Sequence, residues 1–208
     1  MCGRYEKICR KGDMVITFGT ALFAGGKSRR MGRDKALLAL DGTNFLDRIA
    51  AELSCFEERL LSVDREERYE NLPWRHVSDR VAGCGPLGGL CAVLSECRSD
   101  ALLVVTCDMP LYEARLGQWL CSKLEEPWDA VVPKTQDGIH PMCAVYRKRC
   151  LPVLEGQLSA GDFRLRKALD SLVVRYVDVE ELGDLLCNVN TPEEYQALLD
   201  RVRRSTKQ

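Results

Sequence analysis

Apolar residues in the 208-residue chain fall into short continuous runs that alternate with stretches of helical period. The first run, VITFGTALFA at residues 15–24, is rich in β-branched and aromatic side chains and ends at Gly25-Gly26. That is the pattern of a buried strand opening into a loop. From Asn44 onward Phe45, Leu46, Ile49, Ala50, Leu53 and Phe56 return at three- and four-residue spacing, which predicts a helix with one face on a core. Residues 59–63 form a second apolar run. Pro86, suited to a first helical turn, opens a period carried by Leu87, Leu90, Cys91, Leu94 and Cys97. ALLVVT at 101–106 is the most hydrophobic strand candidate in the chain. A helix over 112–124, a strand over 129–133 and further strands over 141–146 and 172–177 continue the alternation. Thr191, Pro192 and Glu194 read as the N-cap, first helical residue and capping-box partner of a last helix that runs to about residue 202.

Repeated strand–helix units predict an α/β fold of three layers, a mostly parallel sheet with helices on both faces. Ligands bind such sheets beyond the carboxyl ends of the strands, so the residues following Ala24, Val63, Thr106 and Pro133 are expected to face one site. Residues 1–13 are polar and lack a periodic apolar face, and are expected to be a flexible extension. Residues 14–208 then form a single domain. A content of 46% hydrophobic and 29% charged residues agrees with one globular core.

Thirty Lys and Arg against 31 Asp and Glu leave a net charge of -1 and no overall basic field for a nucleic-acid backbone. No stretch offers the roughly 20 apolar residues of a membrane span, and charges interrupt the N-terminus where a signal peptide is apolar, so a cytoplasmic protein is expected. The eleven cysteines include no C-x-x-C pair, and neither His76 nor His140 completes a zinc pattern. Reduced thiols acting as small hydrophobes are the expectation.

Three segments carry candidate chemistry. The loop AGGKSRRMGRDK follows the first strand with paired glycines and five cations within residues 27–35. Glycine lets backbone N–H groups approach an anion and the cations neutralise it, so the loop reads either as a phosphate cradle or as a solvated charged turn. It is not a Walker A loop, which would need Gly where Ala21 stands, nor a dinucleotide fingerprint, because its glycines fall at 25, 26 and 32. In TCDMP, Asp108 lies just beyond the 101–106 strand, where a carboxylate can hold Mg2+ against phosphate oxygens or simply cap a turn. Asp79 precedes GCGPLGGL, a tight turn and helix start whose small residues admit a ligand or a neighbouring backbone. His140-Pro141 follows the turn Gln136-Asp137-Gly138, with His140 either an anion contact or a hydrogen-bonded structural residue, and Asn188-Val189-Asn190 leads into the last helix. No Ser-His-Asp order or paired-carboxylate motif occurs, which favours chemistry without a strong general base.

LFAGGKSRRMGRDKALL, GPLGG, TCDMP, HPMCAVY and NVNTPEE occur in the order and spacing of the molybdenum cofactor guanylyltransferases, the MobA family, which the chain resembles from about residue 16 to 200. The resemblance implies a Rossmann-like nucleotidyltransferase fold and transfer of GMP from GTP to molybdopterin, with Mg2+ and release of pyrophosphate. It implies that Phe23, Ala24, Gly25, Gly26 and Lys35 bind GTP, that Asp79 lies near the guanosine, and that Asp108 holds the metal. Phe23 stands where leucine is usual, and Ser62 or Asp64 where the family often has asparagine. The N-terminal half would bind nucleotide, and the C-terminal half, with His140, Pro141, Asn188 and Asn190, molybdopterin. Other cofactor-biosynthesis proteins and molybdoenzyme-specific chaperones are the implied protein partners. A molybdopterin cytidylyltransferase, a sugar-phosphate nucleotidyltransferase and a degenerate nucleotide-binding module are the competing readings. The Ala24-Gly25-Gly26 start and Gly85-Pro86-Leu87 resemble the guanylyl branch more closely.

Overall fold

A computed structural model describes residues 16–25, 31–64, 69–79 and 83–205; the expected extension at 1–13 and Gly26 lie outside the described residues. Strand β1 (Phe18–Phe23) is followed by a small hairpin of β2 (Ala39–Leu40) and β3 (Thr43–Asn44) and by helix α1 (Phe45–Glu52). Next come β4 (Arg59–Val63), β5 (Arg75–Ser78), α2 (Gly85–Glu96) and β6 (Ala101–Thr106). Helix α3 (Ala114–Ser122) leads to β7 (Ala130–Thr135), β8 (Gly138–Ile139) and β9 (Ala144–Arg147). The chain closes with α4 (Leu151–Ser159), α5 (Leu165–Leu169), β10 (Val174–Asp178) and α6 (Pro192–Ser205).

The main sheet runs β10-β7-β9-β6-β1-β4-β5, with β8 paired to β7. β1 is parallel to β4 and β6, β4 to β5, and β7 to β10. The sheet is therefore mostly parallel, as the strand–helix alternation predicts, with one reversal. The turn before Gly138 folds β8 back on β7, and β9 then fills the place between β6 and β7 antiparallel to both. Gly138 holds φ +123°, a conformation that only glycine adopts freely. The 141–146 run accordingly pairs only from Ala144, and Pro141 remains in the preceding loop.

Alternation with period two sends one set of strand side chains to each face. Leu22, Leu61, Leu103, Val105 and Val145 pack with α1 and α3 on one side. Ala21, Phe23, Leu60, Leu102, Val104 and Tyr146 pack with α2, α4 and α5 on the other. α1 starts where Asn44 Oδ1 accepts the Asp47 N–H at 2.7 Å. It tightens into a 3-10 turn over Leu53–Cys55 instead of continuing to Phe56, which turns the chain directly into β4. β5 escapes the hydrophobic pattern because, as a strand at the sheet's edge, it buries only Val77. α4 escapes it because it buries only Leu154 fully, and α5 because it spans only Leu165–Leu169.

A third apolar cluster, with Leu38, Leu40, Phe45, Val189 and Leu198, seats α6 against the β2–β3 region. Tyr195 crosses Phe45 edge to face at 5.9 Å and donates its hydroxyl to the Ala39 carbonyl at 2.6 Å. The capping box forms as the sequence predicts: Glu194 N–H donates to Thr191 Oγ1 at 3.2 Å, and Glu194 Oε2 accepts from the Thr191 N–H at 3.1 Å. Among the described residues no helix is long and apolar enough to cross a membrane. The nine described cysteines are free thiols, all buried except Cys187.

Candidate active site

Parallel strands that end together leave a hollow where their connections diverge. Here a cavity of about 1020 Å³ opens beyond β1, β4 and β6. Phe23, Ala24 and Gly25 line it from β1, Ser62 and Asp64 from β4, and Cys107 and Asp108 from β6. The backbone locks these ends in register: Ala24 N–H donates to Ser62 O at 2.9 Å, and Cys107 N–H to Phe23 O at 2.9 Å. The residue after Pro133 does not join them, because β7 continues to Thr135 and leaves Lys134 exposed. That wall is built instead by Ile139, His140, Pro141 and Met142 beyond the hairpin.

Lys35, Asp108 and Asn190 come from three distant parts of the chain and meet here. Lys35 Nζ donates to Asn190 Oδ1 at 2.6 Å and stands 3.8 Å from Asp108 Oδ2. Thr106 Oγ1 donates to Asp108 Oδ1 at 2.5 Å, which fixes the carboxylate and leaves its second oxygen toward the lysine. Val189 N–H donates to the Asp108 carbonyl at 2.8 Å, so the Asn188-Val189-Asn190 segment is stitched to the end of β6. Lys35 and Asp108 side chains are 16% and 24% exposed, open enough to meet a ligand and enclosed enough for the charges to act strongly.

On the α2 side, Gly83, Gly85, Pro86 and Gly89 line the cavity. The first turn of a helix carries N–H groups without partners in the helix and a partial positive charge, which suits an anionic or hydrogen-bonding ligand. Gly89 lets α2 pack closely against Phe23 and Asp79: a Cβ there would stand 2.7 Å from Phe23 Cε1 and 3.1 Å from Asp79 Oδ1. Burial pushes the Asp79 carboxyl above its ordinary value, and the nearby negative charge of Asp64 adds to the rise. On the opposite wall His140 Nε2 shares a 3.0 Å hydrogen bond with Thr135 Oγ1, and burial holds its imidazole below the usual value. Tyr146 OH donates to the Pro141 carbonyl at 2.8 Å. Phe23, Ala24, Gly25, Lys35, Ser62, Asp79, Asp108, His140, Pro141, Asn188 and Asn190 thus all border one cavity.

The sequence profile of the MobA-like NTP transferase domain matches residues 20–178. The chain belongs to this MobA-like family. A probable molybdenum cofactor guanylyltransferase of Clostridium perfringens strain 13 is 30% identical over 196 residues, spanning 90% of this chain and 98% of the relative. One from Pelotomaculum thermopropionicum is 36% identical over 180 residues, 83% of this chain and 87% of the relative. The crystal structure of molybdopterin-guanine dinucleotide biosynthesis protein A from Archaeoglobus fulgidus superposes with a TM-score of 0.79 at 24% identity, covering 89% of this chain and 99% of that one, and shows the shared fold.

Within this MobA-like site the structure adds residues that the sequence pattern did not single out. Tyr69 OH donates to Asp34 Oδ2 at 2.7 Å and lies 3.3 Å from the Ala24 carbonyl, so it bridges the two flanks of the glycine-rich loop. It does so from φ +62°, an unusual backbone conformation for an aromatic residue. Asp34 also accepts the Ala36 N–H at 3.1 Å, capping the 3-10 turn that begins with Lys35. Arg166, on α5, lines the cavity beside the His140 wall. Neither Tyr69 nor Arg166 belongs to a motif. Only the three-dimensional return of the chain brings them to the site.

Proposed function

We propose that this protein transfers GMP from GTP to the terminal phosphate of molybdopterin, in the cytoplasm, forming the guanine dinucleotide cofactor and pyrophosphate. The observation that carries the reading is the meeting of Lys35, Asp108 and Asn190 in a cavity roomy enough for two substrates. The likeness to guanylyltransferases of Clostridium perfringens and Pelotomaculum thermopropionicum supports guanylyl transfer in particular.

An oxygen of the molybdopterin phosphate forms the new bond to the α-phosphorus of GTP, and the bond from that phosphorus to the β-phosphate oxygen breaks. The nucleophile is already an anion, so the protein needs to position and neutralise, not to remove a proton. This matches a site whose central groups are an ammonium, a carboxylate and an amide. The glycine-rich loop and the first turn of α2 offer N–H groups to the nucleotide, and Asp79 and Ser62 flank the α2 side, assigned to guanosine. Lys35 neutralises the triphosphate and gains strength as charge moves onto the departing pyrophosphate. The N-terminal half supplies this nucleotide side. His140, Pro141 and Asn188 form the molybdopterin side, and Asn190 links the two through Lys35.

Asp108 is the residue that would hold Mg2+. The donor set fits such an ion: a carboxylate that Thr106 Oγ1 fixes at 2.5 Å and that faces the cavity. Mg2+ is commonly held by one or two carboxylates together with substrate phosphates. When bound it offsets negative charge on the phosphates.

The test is pyrophosphate release by the purified chain with molybdopterin, comparing GTP and CTP. Release that needs both GTP and molybdopterin is expected. Preference for CTP would reassign the protein to cytidylyl transfer, and nucleotide binding without release would make it a binding module.

A further inference from the structure

The cavity has a cation that the reaction at Lys35 does not use. Arg166 belongs to α5, where three basic residues stand close together, but their surroundings differ. Arg164 Nη2 and Lys167 Nζ both contact Asp162 Oδ2, at 2.5 and 2.9 Å, and hold that carboxyl well below the usual range. Arg166 reaches only the Ile139 carbonyl, with Nη2 at 3.3 Å, and no carboxylate among the described residues lies within ion-pair distance of it. Its guanidinium lies over the β7–β8 turn, 3.7 and 4.0 Å from where a Cβ on Gly138 would stand. It also borders a shallower outer depression of about 520 Å³, so it sits at the mouth of the main cavity.

Strand order gives the scale. β7, which carries this hairpin, is three places from β1 in the sheet. At roughly 4.8 Å per strand the two backbones stand roughly 14 Å apart. Arg166, over the β7–β8 turn, and Ala24-Gly25, at the end of β1, therefore border the cavity from well-separated strands instead of crowding one phosphate. Ile139, Pro141 and Met142 line the same cavity and offer apolar surface on which a flat ring can rest. His140 does not substitute as a cation, because burial disfavours its charged form and Arg166 adds repulsion, although Asp137 acts in the opposite sense.

We propose that Arg166 holds the acceptor substrate by an anionic group other than the phosphate that attacks, namely the dithiolene end of molybdopterin. This rests on the reading of function above. The acceptor's phosphate must lie at the α-phosphorus beside Lys35 and Asp108, which leaves the dithiolene as its remaining anion. The two sulfurs present negative charge either as free thiolates or capped by an oxo-molybdenum group, and a guanidinium fork can donate to both.

The experiment measures GTP affinity by calorimetry without acceptor, and steady-state KM and kcat for metal-free and molybdenum-loaded molybdopterin. The variants are Arg166→Ala, Arg166→Lys and Arg164→Ala. Loss of a charge-assisted hydrogen bond should raise the acceptor KM roughly 10- to 100-fold in Arg166→Ala while GTP affinity stays at the wild-type value. Arg166→Lys should recover part of the loss, and Arg164→Ala should behave as wild type. An effect confined to one form of molybdopterin would identify free thiolates or the oxo-metal group as the anion held. Unchanged acceptor KM, or a parallel loss of GTP affinity, would overturn the assignment. A wild-type chain that binds GTP but does not modify molybdopterin would instead overturn the reading of function and this inference with it.

Discussion

Replacing Asn190 by alanine perturbs the centre of the site with little disturbance elsewhere. The amide holds Lys35 Nζ at 2.6 Å, while Asp108 Oδ2 stands at 3.8 Å. Unit charges about 4 Å apart attract by about 4 kcal/mol at an effective dielectric constant near 20 and by about 1 kcal/mol in bulk water. At 16% and 24% exposure the pair lies between these limits. Without the amide, Nζ is expected to close on Asp108, forming a direct ion pair that the triphosphate must then break. A hydrogen bond to a charged group contributes about 1.5–3 kcal/mol, and about 1.4 kcal/mol is a factor of ten, so kcat/KM for GTP should fall roughly 10- to 100-fold. The helix cap should survive, because the Asn190 backbone N–H, which donates to Glu194 Oε2, is untouched. Melting temperature is the control. The assay is steady-state pyrophosphate release at saturating acceptor with GTP varied. Asn190→Asp should be worse than alanine, since a second carboxylate binds the lysine more tightly and repels the triphosphate. A kcat/KM for Asn190→Ala within about twofold of wild type would refute the view that the amide positions Lys35.

Tyr69→Phe should raise the KM for GTP by roughly tenfold with a smaller change in kcat and little loss of stability, because it removes only the hydroxyl that bridges Ala24 and Asp34; an unchanged KM would remove the bridge from the account of the loop. Glu58 lies at the far end of β4 from the cavity and accepts from Arg98 N–H, Ser99 N–H, Ser99 Oγ and Arg75 Nη2. Glu58→Ala leaves these donors without their acceptor and should cost about 2–4 kcal/mol, lowering the melting temperature by roughly 5–15 °C with KM for GTP unaffected. Burial alone would raise the Glu58 carboxyl, but hydrogen bonds from Ser99 and Arg98 and the charge of Arg75 outweigh it, so the folded value lies below 4.5. Its contribution is therefore complete above pH 4.5 and lost as pH falls through the folded value, and thermal melts of wild type and Glu58→Gln should converge on acidification.

Hydrophobic spacing alone is enough to locate β1, β4, β6 and β7 and the helices α1, α2 and α3, because each buries a continuous run or a periodic face that local sequence must encode, and the Thr191-Pro192-Glu194 cap marks the start of α6. The candidate residues at strand ends are legible for the same reason: a buried strand that stops at glycine or at Asp-x-Pro announces a loop beyond a sheet edge. Other features depend on distant partners. The antiparallel insertion of β9 is set by the place left between β6 and β7, which no local pattern records. β5 buries too little to show a period. Lys35 and Asn190 are 155 positions apart, and their 2.6 Å contact exists because Phe45, Leu198 and their neighbours dock α6 on the β2–β3 region. Tyr69 and Arg166 carry no motif, since a hydroxyl or guanidinium acquires its role only from what the fold sets opposite it. Local sequence determined where strands and helices begin and which loops could face a ligand; packing among elements remote in the chain decided which side chains meet there.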